Sequence, residues 1–246
     1  MILEKFALLA SDTARSKAYL QAMIREQKLP GMCIVYSDHI LKMKEEAENY
    51  KEDGQEQQYF DVNMPVLYSI YKSGISYLLV DTKDINSELM ADTIQNLEQK
   101  YLVYSGYGGY ILKPHLFRLG KRFVHVHAGI LPQYRGSTTA YFSFLQEKSF
   151  GATALFLNEG IDEGEVILQE HYGIPKEKTD IDYIYEPYIR SRTLIKTMEK
   201  YLRDDRLEGQ KQNSDSAETY FIIHPVLKHL ALFGMEQLQK EKRLGS

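Results

Sequence analysis

The sequence predicts an α/β fold: an open, mostly parallel, Rossmann-like sheet with helices on its faces. Short apolar runs rich in β-branched residues alternate with amphipathic segments, as a parallel sheet requires. A length of 246 residues with 43% hydrophobic content suffices for one sizeable core plus a small appendage. One strand-like run, at 123–127, leads into a loop that contains glycine, proline and several chemically active side chains.

The first half of the chain is expected to supply four strands with helices between them. The predicted strands are 6–10, 33–37, 75–80 and 101–105. The predicted helices are 15–27, closed by Pro30-Gly31, then 66–71, and 87–99 with Asn86 as N-cap. The charged stretch 42–58 shows no apolar face, which indicates a solvated helix or an insertion.

The second half begins with the strand 123–127 and continues the alternation. Ser137 or Thr138 is expected to cap a helix to about 147, before strands at 152–157 and 165–172. A helix at 184–202 has Pro187 in its first turn, where proline is tolerated. We expect a catalytic domain at 1–203, a polar linker at 204–219 and a helical C-terminal extension at 220–246.

The extension is expected to contain an amphipathic helix at 225–242. Its apolar stripe consists of Val226, Leu227, Leu230, Leu232 and Leu238. Such a stripe predicts packing on the domain, and the alternative is a homodimer formed through this C-terminal helix.

Composition excludes several classes of partner. A formal net charge of −4 argues against binding to a nucleic-acid backbone. The chain has no run of eighteen apolar residues, so no membrane span is expected, and its start reads as a strand and not as a signal peptide. A single cysteine, Cys33, in an apolar run indicates a buried thiol, and we expect a cytoplasmic protein.

Two histidines at the end of the strand 123–127 are the first candidate site residues. Side chains alternate along a strand, so His125 and His127 project from one face. Open α/β sheets bind ligands at the carboxyl ends of their strands, which is where this pair lies. Asp162 follows in the turn Ile161-Asp-Glu-Gly164. Two alternatives stay open here: structural histidines, and a two-histidine, one-carboxylate metal site.

The segment His-Val-His-Ala-Gly-Ile-Leu-Pro-Gln-Tyr-Arg-Gly at 125–136 resembles the core of the folate-dependent formyltransferases, whose pattern is Asn-x-His-x-Ser-Leu-Leu-Pro-x-Tyr-Arg-Gly. The resemblance implies that His127 and Asp162 are catalytic. His125 stands in place of the family asparagine, which donates a hydrogen bond to the oxyanion, and an imidazole N–H can donate the same bond. Gly129 and Thr139 replace the family's serine and proline.

The same resemblance implies 10-formyltetrahydrofolate as co-substrate and no metal. A second segment, Tyr-Ser-Gly-Tyr-Gly-Gly-Tyr-Ile-Leu-Lys-Pro at 104–114, is similar to the family's folate loop. The implied folate-binding residues are Ser105, Gly106, Tyr107, Gly108, Ile111, Leu112, Asn158 and Gly160. The implied acceptor-binding residues are Tyr134, Arg135, Gly136 and Ser137.

The acceptor implied by the resemblance is the primary amine of a nucleotide-linked amino sugar. Sugar N-formyltransferases share the Tyr-Arg-Gly triplet and a short C-terminal extension. Methionyl-tRNA formyltransferases have a similar core but carry a basic C-terminal domain, which this acidic chain does not match. Two further alternatives are a formyltransferase acting on glycinamide ribonucleotide and, because of His125, a catalytically silent binding protein.

Overall fold

The computed structural model describes residues 1–52, 54 and 57–244. The chain forms two compact units. Unit 1 comprises Met1–His125 and Leu157–Glu159, and unit 2 comprises Val126–Phe156 and Gly160–Ser246. Each unit is a group of residues that pack against one another. The domain boundaries expected from the sequence rest on composition instead, and they stay a prediction.

Unit 1 is built on five parallel strands. Their bounds are β1 Ile2–Ala10, β2 Leu29–Ser37, β3 Tyr77–Asp81, β4 Tyr101–Ser105 and β5 Arg122–His127. They lie in the order β3-β2-β1-β4-β5. The central strand β1 is fully buried from Phe6 to Ala10, as expected where helices cover both faces of a parallel sheet. The prediction of an open, mostly parallel sheet is confirmed.

Five helices connect these strands. Their bounds are α1 Ala14–Arg25, α2 Ile40–Asn49, α3 Val66–Ser73, α4 Glu88–Gln95 and α5 Pro114–Phe117. The Thr13 hydroxyl caps α1 by accepting a hydrogen bond from the Ser16 amide. The predicted cap of α4 was wrong by one residue, because Ser87, and not Asn86, accepts from the Met90 amide. Asn86 instead bridges the main chain of Ile111 and Lys113.

Two other predictions in unit 1 need correction. Pro30 and Gly31 do not close α1, because they lie inside β2, and α1 ends at Arg25. The stretch 42–58 does have an apolar face: Met43 and Ala47, four residues apart on one side of α2, are buried where α2 packs on α3. Asp53, Gln55 and Glu56 of that stretch lie outside the described residues.

Unit 2 contains the last two residues of β5 together with β7 and β8, in the sheet order β5-β7-β8. Strands β7 and β8 pair antiparallel, and β6 pairs parallel with β9. The elements are β6 Arg135–Gly136, α6 Thr139–Glu147, β7 Phe150–Phe156, β8 Val166–Tyr172, a π-helical turn Ile181–Tyr185, α7 Glu186–Asp204, a 3-10 turn Ser214–Ser216, β9 Thr219–Tyr220 and α8 Pro225–Leu244.

The start of α6 differs from the prediction. Thr138 occupies the N-cap position, but its hydroxyl makes no capping bond and instead contacts the main chain of Phe221 and Ile223. Pro187 lies in the first turn of α7, as predicted.

Helix α8 buries a different face from the predicted one. Ala231, Met235 and Gln239, spaced four residues apart, are its buried residues. Val226, Leu227 and Leu230 of the predicted stripe are 60%, 41% and 50% exposed. None of the helices in the described part of the chain is long and apolar enough to cross a membrane.

Candidate functional site

His127, the last residue of β5, is held in one tautomer. Its side chain is 3% exposed, and Nε2 lies 2.6 Å from the carbonyl oxygen of Tyr134. A carbonyl only accepts, so Nε2 carries the hydrogen and donates it. The Thr139 hydroxyl, 3.3 Å from Nε2, gives its own hydrogen to the Ala128 carbonyl and also presents a lone pair to Nε2. In the neutral ring the basic lone pair is therefore on Nδ1.

A carboxylate faces this basic nitrogen. Asp162 Oδ2 lies 3.4 Å from His127 Nδ1, and the Asp162 side chain is 12% exposed. The same oxygen accepts a hydrogen bond of 2.9 Å from the amide of Gly136. The structure thus brings Asp162 together with His127 and the Arg-Gly loop, both of which come earlier in the chain. A proton arriving on Nδ1 would meet a compensating negative charge.

Two glycines shape the loop around the histidine. A Cβ on Gly129 would lie 2.8 Å from Tyr134 Cβ and 3.0 Å from His127 Nε2. The absence of the family's serine at 129 is consistent with this close packing. Gly136 has φ +95, and a Cβ there would overlap the carbonyl oxygen of Tyr220 in β9. At both positions a side chain would collide with neighbouring atoms, so the close contacts of the backbone depend on glycine.

Arg135 is a buried cation, 6% exposed, that points away from open solvent. Its Nη2 and Nε lie 2.8 and 3.2 Å from Oε1 of Gln212, and Nη1 lies 3.5 Å from Glu163. Gln212 in turn donates from Nε2 to the carbonyls of Asp162 and Gly164, at 2.7 and 2.8 Å. Sequence reasoning missed Gln212, because it lies in a polar stretch without periodicity or motif.

Tyr134 and Ser137 have different surroundings. The Tyr134 hydroxyl lies 2.9 Å from Gln146 Oε1 and 2.8 Å from Glu147 Oε1 at the end of α6. Burial, and then the carboxylate of Glu147, raise the pKa of Tyr134 above its ordinary value. Ser137 is exposed, and its amide donates to the Tyr220 carbonyl at 2.8 Å. Among the four predicted acceptor-binding residues, Ser137 is thus the most open to a ligand.

The predicted folate loop belongs to unit 1 and follows β4. The Gly106 carbonyl accepts from Arg15 Nη2 at 2.6 Å, and a Cβ on Gly106 would overlap the Tyr36 hydroxyl. The Tyr107 hydroxyl donates to Ser37 Oγ at 3.1 Å. The space next to the Gly106 backbone is therefore occupied by the Tyr36 hydroxyl of the same unit.

The remaining predicted folate residues divide by exposure. Ser105 is fully buried, with Oγ 2.9 Å from Ser16 Oγ, and Leu112 is buried in the hydrophobic core of unit 1. Gly108 and Ile111 are exposed. Asn158, in unit 1, is exposed as well, and the half-buried Gly160 begins the second part of unit 2. Their role in binding folate stays a prediction.

His125 lies in β5 two residues before His127 and belongs to unit 1. Its Nδ1 is 3.5 Å from the Tyr104 carbonyl, and its ring is tilted against the Tyr104 ring at 6.1 Å. That distance is too long to fix the tautomer. Across the part of the chain that the structure describes, no group of three or more His, Cys, Asp or Glu side chains is arranged to hold a metal ion.

Comparisons with known proteins agree with the geometry. The family model described as "Formyl transferase" matches residues 4–186. The methionyl-tRNA formyltransferase of Finegoldia magna is 31% identical over 100 residues, 40% of this chain and 32% of that protein. The enzyme of the same name from Caldanaerobacter subterraneus is 24% identical over 169 residues, 68% of this chain and 54% of that protein. The chain thus spans about half the length, or less, of these curated relatives.

Solved structures share the fold at low sequence identity. The N-formyltransferase of Helicobacter canadensis, solved with folinic acid and dTDP-3-aminofucose, has a TM-score of 0.53 and 18% identity. The alignment covers 89% of this chain and 71% of that one. At this identity the likeness shows the fold alone.

Proposed function

The chain belongs to the formyl transferase family, and from this premise we propose that it transfers a formyl group from 10-formyltetrahydrofolate to a primary amine. The observation that carries the proposal is the distance of 3.4 Å between His127 Nδ1 and Asp162 Oδ2. The Nε2 hydrogen of the same ring is donated to the Tyr134 carbonyl. Such a ring can act as a base through Nδ1, because imidazole is the side chain that most often accepts and donates protons in catalysis.

In the proposed reaction the acceptor amine is the nucleophile. Its nitrogen lone pair forms a bond to the formyl carbon, and the carbonyl electrons move onto oxygen. His127 Nδ1 takes a proton from the attacking nitrogen, and Asp162 stabilises the resulting imidazolium. Collapse of the oxyanion breaks the bond to N10 of the folate, and the His127 imidazolium gives its proton to N10, which leaves as tetrahydrofolate. No covalent enzyme intermediate is needed.

His125 is the proposed hydrogen-bond donor to the oxyanion. It occupies the position of the family asparagine, and its imidazole N–H has the same donor capacity. Donors that are fixed before the reaction act on the developing charge, and removal of one typically lowers the rate by about 100- to 1,000-fold. The proposed folate contact in unit 1 is the 106–112 loop, where Gly108 and Ile111 are exposed.

The proposed acceptor is the amine of a nucleotide-linked amino sugar. Two observations support this choice: the acidic net charge of the chain, and the fold it shares with the Helicobacter canadensis enzyme, which was solved with dTDP-3-aminofucose. A second candidate is methionyl-tRNA, because the curated relatives reported above carry that name. The charge disfavours it, since tRNA binding depends on neutralising phosphates with basic residues.

An acceptor panel tests the proposal. The purified chain is given 10-formyltetrahydrofolate with a dTDP-linked amino sugar, glycinamide ribonucleotide or charged methionyl-tRNA. Release of tetrahydrofolate and the mass of the formylated product are measured. We expect transfer to the amino sugar, absent in the His127→Ala variant. Transfer to methionyl-tRNA alone would reassign the acceptor, and folate binding without transfer to any amine would make the chain a silent binder.

A further inference from the structure

The Gln212 side chain, in the 204–219 stretch, contacts both the Asp162 turn and Arg135. Its amide hydrogens go to the carbonyls of Asp162 and Gly164. Its amide oxygen accepts two hydrogen bonds from the Arg135 guanidinium. A primary amide has two hydrogens and two lone pairs, so all four are used. The opposite amide orientation would place NH₂ against a cation and oxygen against two carbonyls.

We propose that Gln212 is a positioning residue for formyl transfer, which holds the Asp162 carboxylate opposite His127 Nδ1. This inference rests on the proposed function of the same site. Gln212 touches neither reacting group, and it acts through the main chain of the 161–164 turn and through Arg135.

The Asp162 turn has a backbone that needs such support. Asp162 has φ +54, in the left-handed region that non-glycine residues seldom adopt. Two carbonyls of this turn, on either side of Glu163, accept from the same Gln212 nitrogen. Loss of that nitrogen frees the turn to relax toward an ordinary conformation. The carboxylate would then move relative to Nδ1, although the side chain of Asp162 itself is unchanged.

Arg135 supplies the other anchor. It lies on the loop that follows His127, and its amide donates to the Glu218 carbonyl at 2.9 Å. Its guanidinium is buried, so an unsatisfied N–H there would be unfavourable. Gln212 therefore links the loop after His127 to the turn that carries Asp162. A glutamine can do this because it donates and accepts at one end of a flexible stem.

The expected signature is a change in the surroundings of the His127 ring. The charged groups placed around His127 in unit 2 are Asp162, then Arg135 with Glu163 behind it, and Arg190, which donates to the Val126 carbonyl and pairs with Glu186. Asp162 is the nearest of them, 3.4 Å from Nδ1. Displacing its carboxylate should therefore change the NMR chemical shift of the imidazole Cε1–H.

The experiment uses two variants of Gln212 and one matched control. Gln212→Met removes the amide and keeps the length of the side chain. Gln212→Glu keeps an acceptor for Arg135 but has no hydrogen for the two carbonyls. Gln239→Met is the control, because Gln239 is also a buried glutamine whose Nε2 bridges two main-chain carbonyls, those of Pro175 and Glu177.

Turnover and the surroundings of the His127 ring are measured separately. The second readout is the NMR signal of the imidazole Cε1–H, assigned by its loss in His127→Asn. We expect both Gln212 variants to lower kcat by about 10- to 100-fold with little change in KM for folate. We expect Gln212→Met to shift this signal from its wild-type position, because the charge beside the ring moves. Gln239→Met should lower the melting temperature but leave kcat and this signal unchanged.

Each outcome bears on the proposal. Wild-type kcat in Gln212→Glu would overturn it, because the two donor hydrogens would then be dispensable. An unchanged His127 Cε1–H signal in folded Gln212→Met would overturn it as well. A wild-type chain that formylates no amine would contradict the proposed function, whereas the NMR comparison would still decide whether Gln212 places Asp162.

Discussion

The main-chain carbonyl of Tyr134 sets the chemistry of His127. It accepts the Nε2 hydrogen at 2.6 Å, so the ring presents its lone pair on Nδ1, 3.4 Å from Asp162. The partner is a main-chain atom, and its position depends on how the loop 128–136 folds and not on the identity of residue 134. A side chain at 129 would disturb this arrangement, which gives Gly129 a role in orienting the base.

The first prediction concerns the base and its carboxylate. His127→Ala should lower kcat/KM by at least about 100-fold, since general-base catalysis typically contributes about 100- to 10,000-fold. Asp162→Asn should lower kcat, because the imidazolium formed in the reaction loses its counter-charge. Steady-state kinetics measure both variants. His171→Ala, at an exposed histidine on β8, is the control. Turnover at the wild-type rate in His127→Ala would contradict the proposed role of His127 as the base.

The second prediction separates an adapted enzyme from a silent one. If His125 donates to the oxyanion, His125→Asn should keep activity within about tenfold, because the amide restores a donor. His125→Ala should lose about 2.7–4 kcal/mol of transition-state stabilisation, with KM for folate little changed. Indifference of an active wild type to His125→Ala would leave the oxyanion to main-chain N–H groups. Gain of turnover in His125→Asn alone would identify a silent parent.

A third prediction concerns the contact between β6 and β9. Gly136→Ala places a methyl group against the Tyr220 carbonyl at a φ of +95, so it should destabilise the chain by about 3 kcal/mol. Gly173→Ala is the matched control, because a Cβ there meets no atom within 4 Å. Denaturant unfolding followed by circular dichroism measures both. Equal stability of the two variants would mean that β9 can move away from β6 at little cost in free energy.

The fourth prediction is that the purified chain carries no stoichiometric transition metal and keeps its activity in chelator. The reaction proposed here moves only a proton and a formyl group, with an imidazole as base. Elemental analysis and an assay with and without chelator measure this. One zinc or iron per chain, lost together with activity in His125→Ala, would favour the two-histidine, one-carboxylate alternative.

A fifth prediction uses Cys33. Burial raises the pKa of its thiol, so the folded chain keeps the thiol protonated. The unfolded thiol ionises above its ordinary pKa of about 8.5. The contribution of this group to stability is therefore complete below that pH and is lost as the pH rises above it. A thiol-reactive dye at pH 8 should label Cys33 only when the chain unfolds, and labelling at the native rate of a free thiol would contradict its burial.

Local sequence patterns predicted those parts of the fold that depend on neighbouring residues. Strand β4 begins and ends where apolar periodicity placed it, and α7 has its proline in the first turn. The predicted buried face of α8 was wrong, because a helix with leucines around much of its circumference offers more than one apolar side. Which side is buried is decided by partners distant in the chain.

The same limit applies to the candidate site. The 125–136 motif and the 161–164 turn identified His127 and Asp162, because their chemistry is carried by residue type and spacing. The tautomer of His127 depends on a main-chain carbonyl, and the orientation of Asp162 on an amide that comes fifty residues later. No composition rule marks Gln212, whose surroundings in the sequence are those of a solvated linker.

Strand β9 has a consequence for the order in which the protein can be assembled during synthesis. Its two residues pair with β6, more than eighty positions earlier in the chain. The loop that holds His127 in one tautomer therefore lacks its partner strand until residue 220 has left the ribosome. A nascent chain ending near 203 would already contain every strand from β1 to β8 but would have an unsupported Arg-Gly loop. Catalytic competence should therefore appear late in translation, as a step distinct from formation of the sheet.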